Sequence, residues 1–157
     1  MNEYAETCPR MLRYRPPRIA VALLVGAAIA HALLSLVISG LPQAPVAGAI
    51  VALLGCVIML RAWWLFRRCA TPICPTAATT TLITGDIYGL TRNPMYLGIV
   101  LMLTGVALAA GGVAFYLAAL AFYLIIDAVF CPFEEEKLRR TFGTRFTDYQ
   151  ARVRRWL

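Results

Sequence analysis

Four apolar runs divide the chain, and their lengths set its solvent. Ile19 to Ser39 and Val46 to Phe66 each approach the roughly 20 residues that a helix needs to cross a bilayer. Met95 to Phe133 is too long for one crossing, and Gly111-Gly112 divides it into two runs suited to a thin or tilted passage. Gly40-Leu41-Pro42-Gln43-Ala44-Pro45 is an uncharged turn between the first two runs, because two prolines and a glycine do not propagate a helix. The pattern predicts an all-α integral membrane protein. Its four transmembrane helices, at about 19–39, 46–66, 95–110 and 113–131, form two hairpins within a single domain over residues 1–157.

The polar remainder falls into three places. Met1 to Arg18 is basic and could pass for the start of a signal peptide, but the apolar run after it exceeds a signal peptide's apolar core and lacks a clear cleavage site. Residues 67–94 contain Pro72, Pro75, a run of threonines and Gly85, so they cannot cross hydrocarbon without unpaired backbone and form an interfacial loop. Residues 134–157 are charged throughout. Leu138, Phe142, Phe146, Tyr149 and Val153 recur there by threes and fours, which predicts a helical segment that lies on the bilayer or closes over a site.

Composition supports the bilayer as solvent: 61% of the 157 residues are hydrophobic, and the mean hydropathy is +0.71. A soluble domain needs more charge on its surface. The net charge of +7 does not point to nucleic acid, because the basic residues gather beside apolar runs, where anionic lipid headgroups are the simpler partner. Four of the fifteen precede the first span, Arg61, Arg67 and Arg68 close the second, Arg92 opens the third and seven follow the fourth. The positive-inside rule therefore puts both termini and the central loop in the cytoplasm. The five cysteines, Cys8, Cys56, Cys69, Cys74 and Cys131, show no CxxC spacing and read as reduced thiols with no metal. The spans also lack the polar lining of a channel.

Chemistry concentrates in Tyr88-x3-Arg92-Asn93-Pro94-x-Tyr96-Leu97-Gly98, then Glu134-Glu135, then Phe142-Gly143-x2-Phe146-x2-Tyr149 and Arg152-Val153-Arg154-Arg155-Trp156. In order and separation these pieces resemble the signature of the isoprenylcysteine carboxyl methyltransferase and phospholipid methyltransferase family, over about Arg67 to Leu157. The resemblance implies a small prokaryotic-type membrane methyltransferase in a bacterial inner membrane. It also implies S-adenosylmethionine as cofactor, S-adenosylhomocysteine as product, and a lipophilic small molecule, membrane lipid or prenylated acceptor. By the same resemblance, Tyr88, Arg92, Asn93, Tyr96, Leu97, Glu134 and Glu135 hold the cofactor, and Arg92 and Glu134 act at the reacting centre. Two other readings stay open: a non-catalytic lipid-binding or partner subunit, and a nicotinamide-dependent reductase of the sterol reductase group, whose members are much longer.

The residues suit such chemistry by themselves. Pro94 at a first helical turn leaves N–H groups beyond it for an anion, and Arg92 adds a permanent, bidentate charge. Glu134 and Glu135 offer the opposite sign, so one zwitterion could bridge both motifs. An unbroken fourth helix would bring Asp127, Cys131 and Glu134 onto one face, although Pro132 should bend it. Asp127 is either functional or paired with an arginine for structure. Asn93 stands where the isoprenylcysteine enzymes usually have histidine; it can orient but not titrate near neutrality. His31, in the first span, reads as a packed core residue.

Overall fold

A computed structural model describes residues 15–35, 40–68 and 81–157. Arg10 and Arg13, Cys8, the predicted end of the first span (36–39) and loop residues 69–80, with Cys69 and Cys74, lie outside them. The described residues form helices and no strand: α1 (Pro16–Leu34), α2 (Pro45–Arg68), α3 (Pro94–Ala110), α4 (Val113–Ile125), α5 (Cys131–Phe142) and α6 (Thr144–Arg152). A 3-10 turn over Asp86–Gly89 precedes α3.

Prolines begin α1, α2 and α3, at positions where a missing N–H costs no intrahelical bond. Gly111 ends α3 with φ +65°, a left-handed conformation that a side chain would strain. α1, α2 and the continuous rod Val113–Phe142 are long and apolar enough to cross a membrane, and α3, with 17 residues, is a shorter apolar helix. Large apolar side chains point outward along them, among them Val21, Val25 and Ile29 of α1 and Ile50, Leu53 and Val57 of α2. Such a surface suits lipid.

The closest packing joins α2 and α3, which run antiparallel. A Cβ on Gly48 would lie 2.5 Å from the carbonyl oxygen of Gly105, and one on Gly55 would lie 2.5 Å from that of Gly98. Two backbones therefore touch along a seam of glycines seven residues apart, two helical turns. α3 packs on α4, and α4 on α1, through Ala27, Ala107, Phe115 and Ala118 among others. Among the described residues α1 makes few contacts with α2, its neighbour in sequence, and packs on α4 instead. α2 has already spent its small-residue face on α3, so the lateral order is α1, α4, α3, α2.

The two turns meet at one end of the bundle. Leu41 N–H donates to Gly111 O at 2.7 Å, and Ala44 N–H to Leu108 O at 2.9 Å. His31 packs there, its ring 5.4 Å from that of Phe115.

Pro132 does not break the rod. Residues Ile126–Phe130 adopt a π-helical turn in which Cys131 N–H donates to Ile126 O, and the extra residue in this turn relieves the clash that a proline brings to an α-helix. One extra residue also rotates the faces of α5 by roughly 100° relative to those of α4. Asp127 and Glu134 therefore turn to different neighbours, Asp127 to the segment after α6 and Glu134 to a cavity, while Cys131 between them stays close enough to feel both carboxylates.

Candidate active site

The cavity, of about 640 Å³, lies at the end of the bundle away from the two turns. The start of α1, the last turns of α2, residues 81–83, the 3-10 turn, the first turns of α3, and α5 and α6 all contribute to its wall. Segments remote in sequence converge there because the hairpin of α3 and α4 returns the chain to the same end.

Tyr88, Arg92, Asn93, Tyr96, Glu134 and Glu135 all line this cavity. Leu97 does not; it sits one step around α3 from Tyr96. Tyr96 donates its hydroxyl to Glu134 Oε1 at 2.5 Å, fixing that carboxylate across the cavity from α3. Tyr88 is buried against Phe66, ring centroids 5.7 Å apart. Burial, with the Glu134 carboxylate nearby, holds the Tyr88 phenol far above its ordinary range, so it stays neutral.

Glu135 has a different setting. Arg155 donates Nε to Oε1 and Nη2 to Oε2, both at 2.9 Å, a parallel fork of charge-assisted bonds. These bonds, ahead of the one to Asp127, raise the Arg155 guanidinium's pKa further. Arg92 approaches the same carboxylate, with Nη1 3.2 Å from Oε1, but without the alignment of a hydrogen bond. Its Nε and Nη1 are buried with no hydrogen-bond acceptor among the described residues. Asp127 does not line the cavity: it accepts from Arg155 Nη1 at 3.1 Å and from Trp156 Nε1 at 2.9 Å, an anchor for the segment after α6.

That segment also fixes the loop carrying Arg92. Arg92 N–H donates to Arg154 O at 3.0 Å, while Thr91 Oγ1 and Asn93 Nδ2 donate to Arg155 O at 3.0 and 3.1 Å. Asn93 thus spends its amide on holding the chain and makes no side-chain cap for α3. Tyr149 donates to Tyr88 O at 2.6 Å, and burial pushes its phenol up to about 12.

A family model for phospholipid methyltransferases matches residues 44–145. The chain belongs to the phospholipid methyltransferase family. Among curated proteins nothing matches the chain, and among solved structures nothing matches either. The family match spans α2 through α5, the elements that carry Arg92, Tyr96, Glu134 and Glu135. For this phospholipid methyltransferase family member, sequence reasoning missed the contribution of α2 to the cavity. Met59, Trp63 and Phe66 line it, yet Trp63 beside Arg67 and Arg68 reads in sequence as a headgroup anchor. It also missed Thr91 and Arg155 as the residues that hold the loop; Arg155 lies in the motif but looks like one surface cation among seven.

Proposed function

We propose that this membrane methyltransferase family member uses S-adenosylmethionine to methylate a lipophilic or amphiphilic acceptor at the cytoplasmic face of a bacterial inner membrane. In this reading α3 is a fourth span, both termini and the loop 67–94 are cytoplasmic, and S-adenosylhomocysteine is the product. One observation carries the proposal: Arg92 and Glu134, on opposite sides of the α3–α4 hairpin, line one cavity, and Arg92 brings buried donors that no described acceptor satisfies.

The donor set fits the cofactor. Arg92 suits its carboxylate and Glu134 its ammonium, and the faces of Tyr88, Trp63 and Phe66 suit an adenine ring and a sulfonium charge. A volume of about 640 Å³ lies within the range of small-molecule sites. When bound, S-adenosylmethionine supplies a methyl group already activated by its sulfonium. The protein's own task is then placement: Tyr96 holds Glu134, the segment after α6 holds Arg92, and Met59, Ile99 and Leu138 give the cavity an apolar wall. The route for an acceptor from the bilayer is suggested by Pro16 and Pro17 of α1 and Leu60 and Trp63 of α2, which share the cavity wall although their helices barely touch.

Calorimetric titration of the detergent-purified chain with S-adenosylhomocysteine, and separately with a reduced nicotinamide, tests the cofactor. Binding of the first alone is expected, and binding of only the second would replace this reading with a reductase. With a radiolabelled methyl donor and a membrane lipid extract, Arg92→Ala and Glu134→Ala should each lower transfer by about a hundredfold or more, because each removes one partner of a desolvated charge pair. Turnover retained in both variants would overturn the assignment of these residues.

A further inference from the structure

Two guanidiniums reach for one carboxylate. The side chains of Arg92 and Glu135 are each 11% exposed, so water can do little for either. Arg155 takes both oxygens of Glu135 in a fork, while Arg92 stands 3.2 Å from Oε1 with its buried Nε and Nη1 making no hydrogen bond among the described residues. An arginine beside a carboxylate normally closes on it, since the paired geometry satisfies donors on one side and lone pairs on the other. Here one lone pair of each oxygen is already directed at Arg155, and the Gln150 amide stands 3.5 Å from Oε2, so Arg92 meets a carboxylate whose orientation is set by another guanidinium.

We propose that Arg155 is a positioning residue: by engaging both oxygens of Glu135 it keeps Arg92 from collapsing onto that carboxylate, and so leaves the donors of Arg92 available to an anionic group in the cavity. The identity of that anion, the carboxylate of the methyl donor, rests on the function proposed above. The exchange of partners among three side chains rests on the geometry alone.

The arrangement is separable from a simple clamp. The backbone bonds that tie the segment to the loop use Arg154 O and Arg155 O, which remain when the Arg155 side chain is removed. Asp127, the other carboxylate on Arg155, would keep its bond from Trp156 Nε1. Loss of the Arg155 side chain therefore chiefly frees Glu135, and the nearest cation to receive it is Arg92.

The test is a rescue. In calorimetric titrations of the detergent-purified full chain with S-adenosylhomocysteine, Arg155→Ala should weaken binding roughly ten- to a hundredfold, and adding Glu135→Gln should restore most of it, because a neutral amide no longer competes for Arg92. Unchanged binding in Arg155→Ala, or a double variant as weak as the single one, overturns the proposal, since a clamp would not be repaired by losing its second half. If Arg155→Ala does not fold, Arg155→Lys serves, as one ammonium cannot occupy both oxygens in a fork; a smaller loss with the same rescue is expected.

A wild-type chain that binds no S-adenosylhomocysteine would count against the proposed function, and the exchange is then read from thermal unfolding. Arg92→Ala should lower the melting temperature more in the Arg155→Ala background than in wild type, because only there are Arg92 and Glu135 full partners. Equal shifts in the two backgrounds overturn it.

Discussion

Tyr149 ties α6 to the 3-10 turn through a single buried hydrogen bond to Tyr88 O, so Tyr149→Phe isolates that bond with little change of shape. Its loss should cost about 1 kcal/mol in thermal unfolding. The phenol is held neutral in the folded chain, with its pKa raised from 10.0 to about 12. Its contribution is therefore complete below pH 10.0 and fades as pH rises toward about 12, and the variant should show a shallower alkaline loss of stability. At this scale the sequence revealed residue types and their order. It brought Arg92, Glu134, Tyr88 and Tyr96 forward together, and all four line one cavity. It set Glu134 apart from Glu135 only by the family resemblance; what separates these adjacent, like side chains physically is their partners, Tyr96 for one and Arg155 for the other.

Helices α2 and α3 are held by contact of main chain with main chain. Gly55→Ala would drive a Cβ to 2.5 Å from Gly98 O and 2.9 Å from Met102 N, atoms that cannot swing aside. It should destabilise by about 1–3 kcal/mol or more and reduce the monodisperse fraction in size-exclusion chromatography. Gly26→Ala in α1 meets nothing within 4 Å and should be neutral or stabilise by up to about 1 kcal/mol through helix propensity. The apolar runs announced these helices, with ends displaced by a few residues, because length and hydropathy are properties of a contiguous segment. The π-helical turn was not legible: Pro132 marks an irregularity in the helix, but only packing on both sides decides that it takes the form of an added residue. The same turn explains why Asp127 and Glu134, seven apart, face different neighbours.

For the molecule as a whole, charge placement predicts that the cavity end faces the cytoplasm. Lys137, the only lysine, lies in α5 beside Glu134 and reports on this. A membrane-impermeant amine reagent should modify it in inside-out vesicles and not in right-side-out ones, read by peptide mapping; the reverse pattern would invert the topology. Which helices neighbour one another was hidden from the sequence, since among the described residues α1 packs on α4 more than on α2, its neighbour in sequence. The glycine seam has a mechanical consequence. Because main chain meets main chain at Gly48, Gly55, Gly98 and Gly105, the two helices should travel as one plank, which would carry Trp63 and Phe66 along with Tyr96. Breathing that admits a bulky guest is then expected from the other walls: α1, which among the described residues leans on α4 and lightly on α3, and the segment beyond α6, whose grip on the loop is made of a few polar bonds.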